Sequence, residues 1–271
     1  MSTMGRVSTP GPIVRNMQPE DEYFVSTCSH VDESEETDAC GVRRRNLFRK
    51  LRPKGLAIKV ALLDDERVGF AYGIPIEHAS WGPLGSELMA VPCLYVLDKA
   101  TGRGIGRKLL DTIERDARTT GLKGTTITAY RGLYSADWFM PASYFEHLGY
   151  EVVDTRRGEI LLWKPFTSDA SKPTFLEPDY AYQPIEGEVV VDLFWNGFCQ
   201  TSDIEAQRVR EVCAEFGDRV VLNDYCAEDR RTLLQHQIPR AIYVNGREIG
   251  WGYEAPKEGI RTAVVQALDD R

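Results

Sequence analysis

Residues 88–110, LMAVPCLYVLDKATGRGIGRKLL, set an apolar run and a short polar stretch ahead of three closely spaced glycines. The run 88–96 has the length and composition of a buried strand. Leu109, Leu110 and Ile113 then recur as one face of a helix reaching to about Gly121. Between the two, Gly102, Gly104 and Gly106 lack the Cβ that would keep an anion away from the main chain. Strand, glycine turn and helix N-terminus together aim several N–H groups from the positive end of the helix dipole. That order predicts a phosphate or diphosphate site, with Arg103 and Arg107 interleaved to supply charge. Two better-known phosphate loops are excluded: no Lys-Ser/Thr pair closes the stretch, and it does not read G-x-G-x-x-G.

The motif resembles the acetyl-CoA loop of the GNAT acyltransferase superfamily, (Gln/Arg)-x-x-Gly-x-(Gly/Ala). Its last two positions fall on Gly104 and Gly106, and its first falls on Thr101. The resemblance implies that main-chain N–H groups of Gly102, Arg103, Gly104, Ile105, Gly106 and Arg107 hold the pyrophosphate of acetyl-CoA. It also implies that the backbone of Leu94 and Val96 pairs with the pantetheine arm, and that a small-molecule or peptide amine is the acceptor. The segment 144–150, YFEHLGY, resembles another family signature, and the likeness extends over about residues 12–166. The family's frequent tyrosine acid aligns with Phe145, while Tyr144 stands one position early. One residue is a rotation of about 100° on a helix, so Tyr144 is expected to point elsewhere, with water or Cys93 as other proton sources. An acceptor amine must arrive unprotonated. Glu77 and Glu87, near predicted strand ends, are the candidate bases, with His78 behind them.

Around the loop the pattern reads strand, two helices, three strands, helix, strand, helix, strands, which is the order the GNAT fold requires. Residues 167–187 hold Pro173, Pro178 and Pro184 without periodicity and read as a linker. From 188 to 271 a second, smaller pattern runs βαβαββα, with a hairpin at Asn245-Gly246. It resembles the thioredoxin fold. The expected fold class is therefore α/β, a mixed-sheet GNAT domain over 12–166 followed by a thioredoxin-like domain over 188–271. That resemblance implies a cis bond before Pro239 and a reactive role for Cys199 in Cys199-Gln200-Thr201-Ser202, where serine replaces the second thiol. Only Cys226 suggests itself as a substitute for that thiol. Ser202-Asp203-Ile204-Glu205 also reads as a capping box, which would start the helix three residues after Cys199.

A formal net charge of −8 argues against a nucleic-acid partner. The first residues hold no apolar signal core, and no run approaches the roughly 20 residues of a membrane span. Six cysteines show no paired framework, which points to a reducing cytoplasm and to thiols that act individually. Cys28, His30 and Cys40 supply three ligand types but lack structural-zinc spacing, so a core or pocket-lining thiol is the favoured reading. Trp81, Trp138, Phe139 and Met140 suit either an acceptor pocket or plain core. Two other functions stay open. One is an acyl-CoA-binding redox module, or one that meets a protein partner through its thioredoxin-like part. The other is a thiol-based detoxification protein using Cys28, Cys93 and Cys199. With every acetyl-CoA motif before the linker, a chain ending near residue 167 is expected to act alone.

Overall fold

The computed structural model describes residues 11–131, 139–250 and 253–270. The strands of the first half form one mixed sheet. They are β1 (Ile13–Asn16), β2 (Ala57–Leu63), β3 (Glu66–Pro75), β4 (Leu88–Ala90), β5 (Leu94–Val96), β6 (Gly124–Tyr130), β7 (Glu151–Arg156) and β8 (Glu159–Pro165). Their spatial order is β1-β2-β3-β4-β6-β8-β7, with β5 paired to β3. β4 and β6 run parallel, so the chain between them must cross over, and helix α3 (Ile105–Thr119) makes that connection.

α3 lays Ile105, Leu109, Leu110, Ile113 and Ala117 on one face of the sheet. Each of the larger side chains contributes about 1.5–3 kcal/mol by leaving water. The opposite face is covered by α1 (Glu22–Ser26) and α2 (Glu35–Leu51), through Phe24, Val25, Leu47 and Phe48. α2 starts at Ser34, whose hydroxyl accepts from Thr37 N, and Glu35, Glu36 and Asp38 favour the positive end of its dipole. α4 (Ala142–His147) packs beside β6 and β8.

The apolar run 88–96 is not one strand. Pro92 has no N–H to donate, and pairing with β6 ends at Val91 N, which reaches Thr126 O at 2.9 Å. The chain resumes as β5 against β3 only, with Leu94 opposite Ala71 and Val96 opposite Gly69. Past Thr126, β6 is bonded to β8 on its other side. β5 and β6 therefore diverge and leave a fork in the sheet.

The second half carries β9 (Val189–Trp195), α5 (Gln200–Glu215), β10 (Val220–Cys226), α6 (Arg230–His236), β11 (Ala241–Val244), β12 (Arg247–Ile249) and α7 (Lys257–Asp269). Its sheet order is β10-β9-β11-β12, with β9 and β10 parallel and the other pairs antiparallel. Asn245 and Gly246 take φ of 46° and 78°, the double left-handed turn a two-residue hairpin needs. Two expectations for this half are corrected. α5 begins at Gln200 with Cys199 as N-cap, because Ser202 Oγ accepts from Asn196 N at 3.0 Å instead of capping the helix. No described peptide bond is cis, so Ile238-Pro239 is trans, and the reversal out of α6 is made by left-handed Gln237 (φ 53°). Residues 167–187 are pinned to the protein. Thr174 exchanges backbone bonds with Leu84, and the Tyr180 ring stacks on Tyr243 at 3.9 Å.

The two halves share a core. Phe198, from the loop after β9, is 3 % exposed and packs against both Phe48 and Tyr72, with ring centroids at 6.2 and 5.4 Å. Arg43 reaches Asp203, and Arg208 forms a two-pronged pair with Glu36. Among the described residues no helix is long and apolar enough to cross a membrane.

Candidate active site

The fork and the glycine turn meet at the N-terminus of α3. Gly102 and Gly104 both take φ of 72°, and Gly104 is the N-cap. A Cβ at either position would have no neighbour within 4 Å, so the main chain faces open space there. Ahead of the turn, Thr101 closes the loop through its hydroxyl and N–H, both bonded to Asp98 O. The first intrahelical bond of α3 runs from Lys108 N to Gly104 O. The N–H groups of Ile105, Gly106 and Arg107 lie before it and have no partner within the helix. Ile105 offers only its backbone, since its side chain is buried in the core. Arg103 and Arg107 are exposed.

On the strand side, Cys93 O accepts from Tyr72 N at 3.0 Å, and Leu97 N donates to Val68 O at 2.8 Å. Backbone groups alternate along a strand. With residues 93, 95 and 97 turned toward β3, the amides of Leu94 and Val96 point into the fork.

Tyr144 is also at this place, contrary to the expected turn away. A Cβ on Gly106 would stand 2.7 Å from the Tyr144 hydroxyl and 3.4 Å from Leu94 Cδ2. Phe145, the residue aligned with the family tyrosine, is buried against Tyr150. The rotation of one residue thus turns the phenylalanine into the core and the tyrosine toward the loop. Burial raises the Tyr144 hydroxyl above the ordinary tyrosine range, and Asp111 adds to this while Arg107 opposes it.

Glu77 and Glu87 are brought together, but at the other end of β4. Glu77 Oε1 accepts from Glu87 N at 2.6 Å, and Glu87 Oε2 pairs with Lys123 at 2.8 Å. The paired segment Leu88–Ala90 separates them from the fork. His78 is exposed. Trp81 lines a hollow with Val91, Pro92, Thr126 and Thr128. Met140 is buried in the core, the Phe139 ring lies 5.8 Å from Tyr130, and Trp138 falls outside the described residues.

Sequence reading alone did not find Arg44. The side chain is fully buried at the seam between the halves. Nε donates to Gly197 O, Nη1 to Ser26 O and Cys28 Sγ, and Nη2 to Tyr72 Oη and Phe198 O. Only the apolar spacing of Leu47, Phe48 and Leu51 on the same helix hinted at which face turns inward. Cys28, Cys93 and Cys199 gather around this guanidinium, each partly open to solvent. Burial pushes the Cys28 and Cys93 thiols up, and Arg44 pulls both the other way. Cys199 also lies within electrostatic range of Tyr130, from β6, and of Arg240. Cys40 instead donates to Gln200 O at 3.8 Å, and His30 pairs with Glu33 at 2.6 Å. Among the described residues no group of three His, Cys, Asp or Glu is placed to hold a metal ion.

Residues 54–152 match the family model of the acetyltransferase (GNAT) domain, a little over a third of the chain. The match begins ahead of β2, takes in the fork, the glycine turn and Tyr144, and ends in β7. No curated protein matches the chain in sequence. Solved structures similar to it include the PaiA N-acetyltransferase of Thermoplasma acidophilum in complex with coenzyme A, at 16% identity and a TM-score of 0.40. That match covers 58% of this chain and 99% of the other. YncA of Salmonella typhimurium, a putative acetyltransferase with acetyl-CoA, is 17% identical with a TM-score of 0.44, over 60% of this chain and 98% of its own. A putative GNAT acetyltransferase from Desulfovibrio desulfuricans is 18% identical with a TM-score of 0.44, over 58% and 100%.

Proposed function

We propose that the first half is an acetyl-CoA-dependent N-acyltransferase acting on an amine. The observation that carries this reading is the convergence of three features on Gly106: the fork lined by Leu94 and Val96, the helix N-terminus at Gly104, and the Tyr144 hydroxyl. A diphosphate fits the open backbone of residues 102–107, where N–H groups and the α3 dipole stabilise negative charge. An extended pantetheine arm fits the strand-shaped gap beside β5, which offers it amide partners. The thioester end would then lie near Tyr144. The amine adds to the thioester carbonyl and gives up one N–H proton to a base, the C–S bond breaks, and the leaving thiolate takes a proton from Tyr144.

The acceptor's route decides the base. Glu77 or Glu87 can serve only an amine that enters over the paired end of β4. An amine entering over the fork meets Cys93 and Tyr130 instead. We read the second half as thioredoxin-like, from its element order and from Cys199 at the head of α5. Release of CoA thiol by the full chain, assayed over a panel of amines with and without acetyl-CoA, tests the activity. No amine-stimulated release from protein that binds acetyl-CoA would leave a binding module in its place.

A further inference from the structure

Ser202 stands where a Cys-x-x-Cys motif carries its second thiol, and it is buried with its hydroxyl committed to Asn196 N. Cys226 is no substitute. It lies opposite Trp195 at the end of β10, where its neighbours are Glu228 and Asp224. The sulfur that approaches the head of α5 comes from the other half of the chain. Cys28, in a left-handed turn after α1 (φ 49°), accepts from Arg44 Nη1 at 3.1 Å. The Gln200 N–H, first amide of α5 and next in sequence to Cys199, also reaches this sulfur. Arg44 Nη2 holds Phe198 O at 3.0 Å, so one guanidinium grips both Cys28 and the residue before Cys199. Asn196 Oδ1 accepts from Phe198 N and Cys199 N at 3.0 and 3.1 Å, which fixes the loop. The groups that Arg44 bonds are neutral carbonyls, a hydroxyl and a thiol. A buried cation among such partners favours any negative charge that develops on sulfur there.

We propose that Cys199 and Cys28, one from each half, form a thiol–disulfide exchange pair for a low-molecular-weight disulfide, with Cys28 as the resolving thiol that Cys199-Gln200-Thr201-Ser202 lacks. Cys199 sulfur attacks one sulfur of the disulfide RSSR. The S–S bond breaks, and the departing RS⁻ takes the Cys199 proton to become RSH. Cys28 sulfur then attacks Cys199 Sγ in the mixed disulfide, and its proton goes to the second RS⁻. Two protein thiols are oxidised to one disulfide, and RSSR is reduced to two RSH. The pair is independent of acetyl transfer.

Oxidised glutathione is the probe, added to the reduced full chain and followed by intact mass and peptide mapping after acid quench. Wild type should lose two hydrogens, release two thiols per chain and yield a peptide linking Cys28 to Cys199. Cys28→Ser should stop with one glutathionyl group on Cys199, persisting at least about tenfold longer than in wild type. A mixed disulfide equally stable in wild type, a link from Cys199 to Cys93 or Cys226, or no reaction in the folded protein would overturn the proposal. If Cys28→Ser fails to fold by circular dichroism, the wild-type peptide map decides alone. CoA release measured on the same samples reports on acetyl transfer separately.

Discussion

The Tyr144 hydroxyl rests on Gly106, so close that a methyl group at that glycine would stand 2.7 Å from the oxygen. The contact joins α4 to the first turn of α3 and sets a phenol hydroxyl beside the glycine turn. Gly106→Ala should therefore displace the phenol. Its φ is not in the left-handed range, so the backbone tolerates alanine and the loss falls on the tyrosine contact. We expect kcat to drop by about tenfold or more, with thermal stability changed by no more than about 1 kcal/mol, since helix propensity favours alanine. An unchanged kcat would show that the phenol moves without cost to the reaction.

Tyr144→Phe removes the hydroxyl and keeps the ring. Turnover should fall by roughly a hundredfold, within the range that general acid catalysis contributes, while acetyl-CoA affinity holds. Burial raises this hydroxyl's pKa, so it stays protonated above the ordinary tyrosine value of about 10. The wild-type kcat profile should show no alkaline limb from this group below that pH. A calorimetric titration alongside steady-state kinetics separates binding from turnover.

Gly104→Asp places a carboxylate in the open space before α3. Aspartate tolerates a left-handed φ better than most residues and no neighbour obstructs it, so the variant should fold. Acetyl-CoA binding should weaken at least tenfold, about 1.4 kcal/mol, by calorimetry. Unchanged affinity would remove the diphosphate from this turn.

Much of this arrangement was legible in the sequence, because glycine spacing, apolar periodicity and turn residues act locally. The helix after the glycine turn and the Asn245-Gly246 hairpin are local signals of that kind, and the structure places both where the pattern did. What escaped depends on partners distant in sequence. Nothing near Arg44 announces that its acceptors are Gly197 and Phe198, more than a hundred residues on. The break at Pro92 was in principle readable from its missing N–H, but the apolar run on either side concealed it. Ser202 failed as a cap because Asn196, six residues earlier, competes for its hydroxyl.

Asp21 gives the stability a defined acid limb. Burial pushes its carboxyl up, but donors from Arg15, Gln18 N and Arg67 outweigh that and hold it below the ordinary range. A depressed folded-state pKa means stability that is complete above the unfolded value of about 3.9 and lost as pH falls through the folded one. Asp21→Asn should therefore lower stability at pH 7 and flatten the loss below about pH 4. Urea unfolding across that range checks it, and parallel curves for the two proteins would refute it.

Phe198→Ala tests whether the second half is separable. Its ring packs against both Phe48 and Tyr72, and deleting a buried phenylalanine costs about 3–5 kcal/mol. Ending the chain after residue 167 goes further, exposing Phe48 and Tyr72 to water and stripping Arg44 of Gly197 O and Phe198 O. Each buried donor left unmade costs about 1–3 kcal/mol unless water replaces its partner. The shortened chain is therefore expected to lack a cooperative melt and to lose acetyl-CoA binding, although every residue of the glycine turn remains. The expectation from motif positions alone was the reverse, because motifs do not show which surfaces lie under a neighbour. A shortened chain that melts cooperatively and binds acetyl-CoA with full-length affinity would make Phe198 an adhesive contact and not part of a shared core.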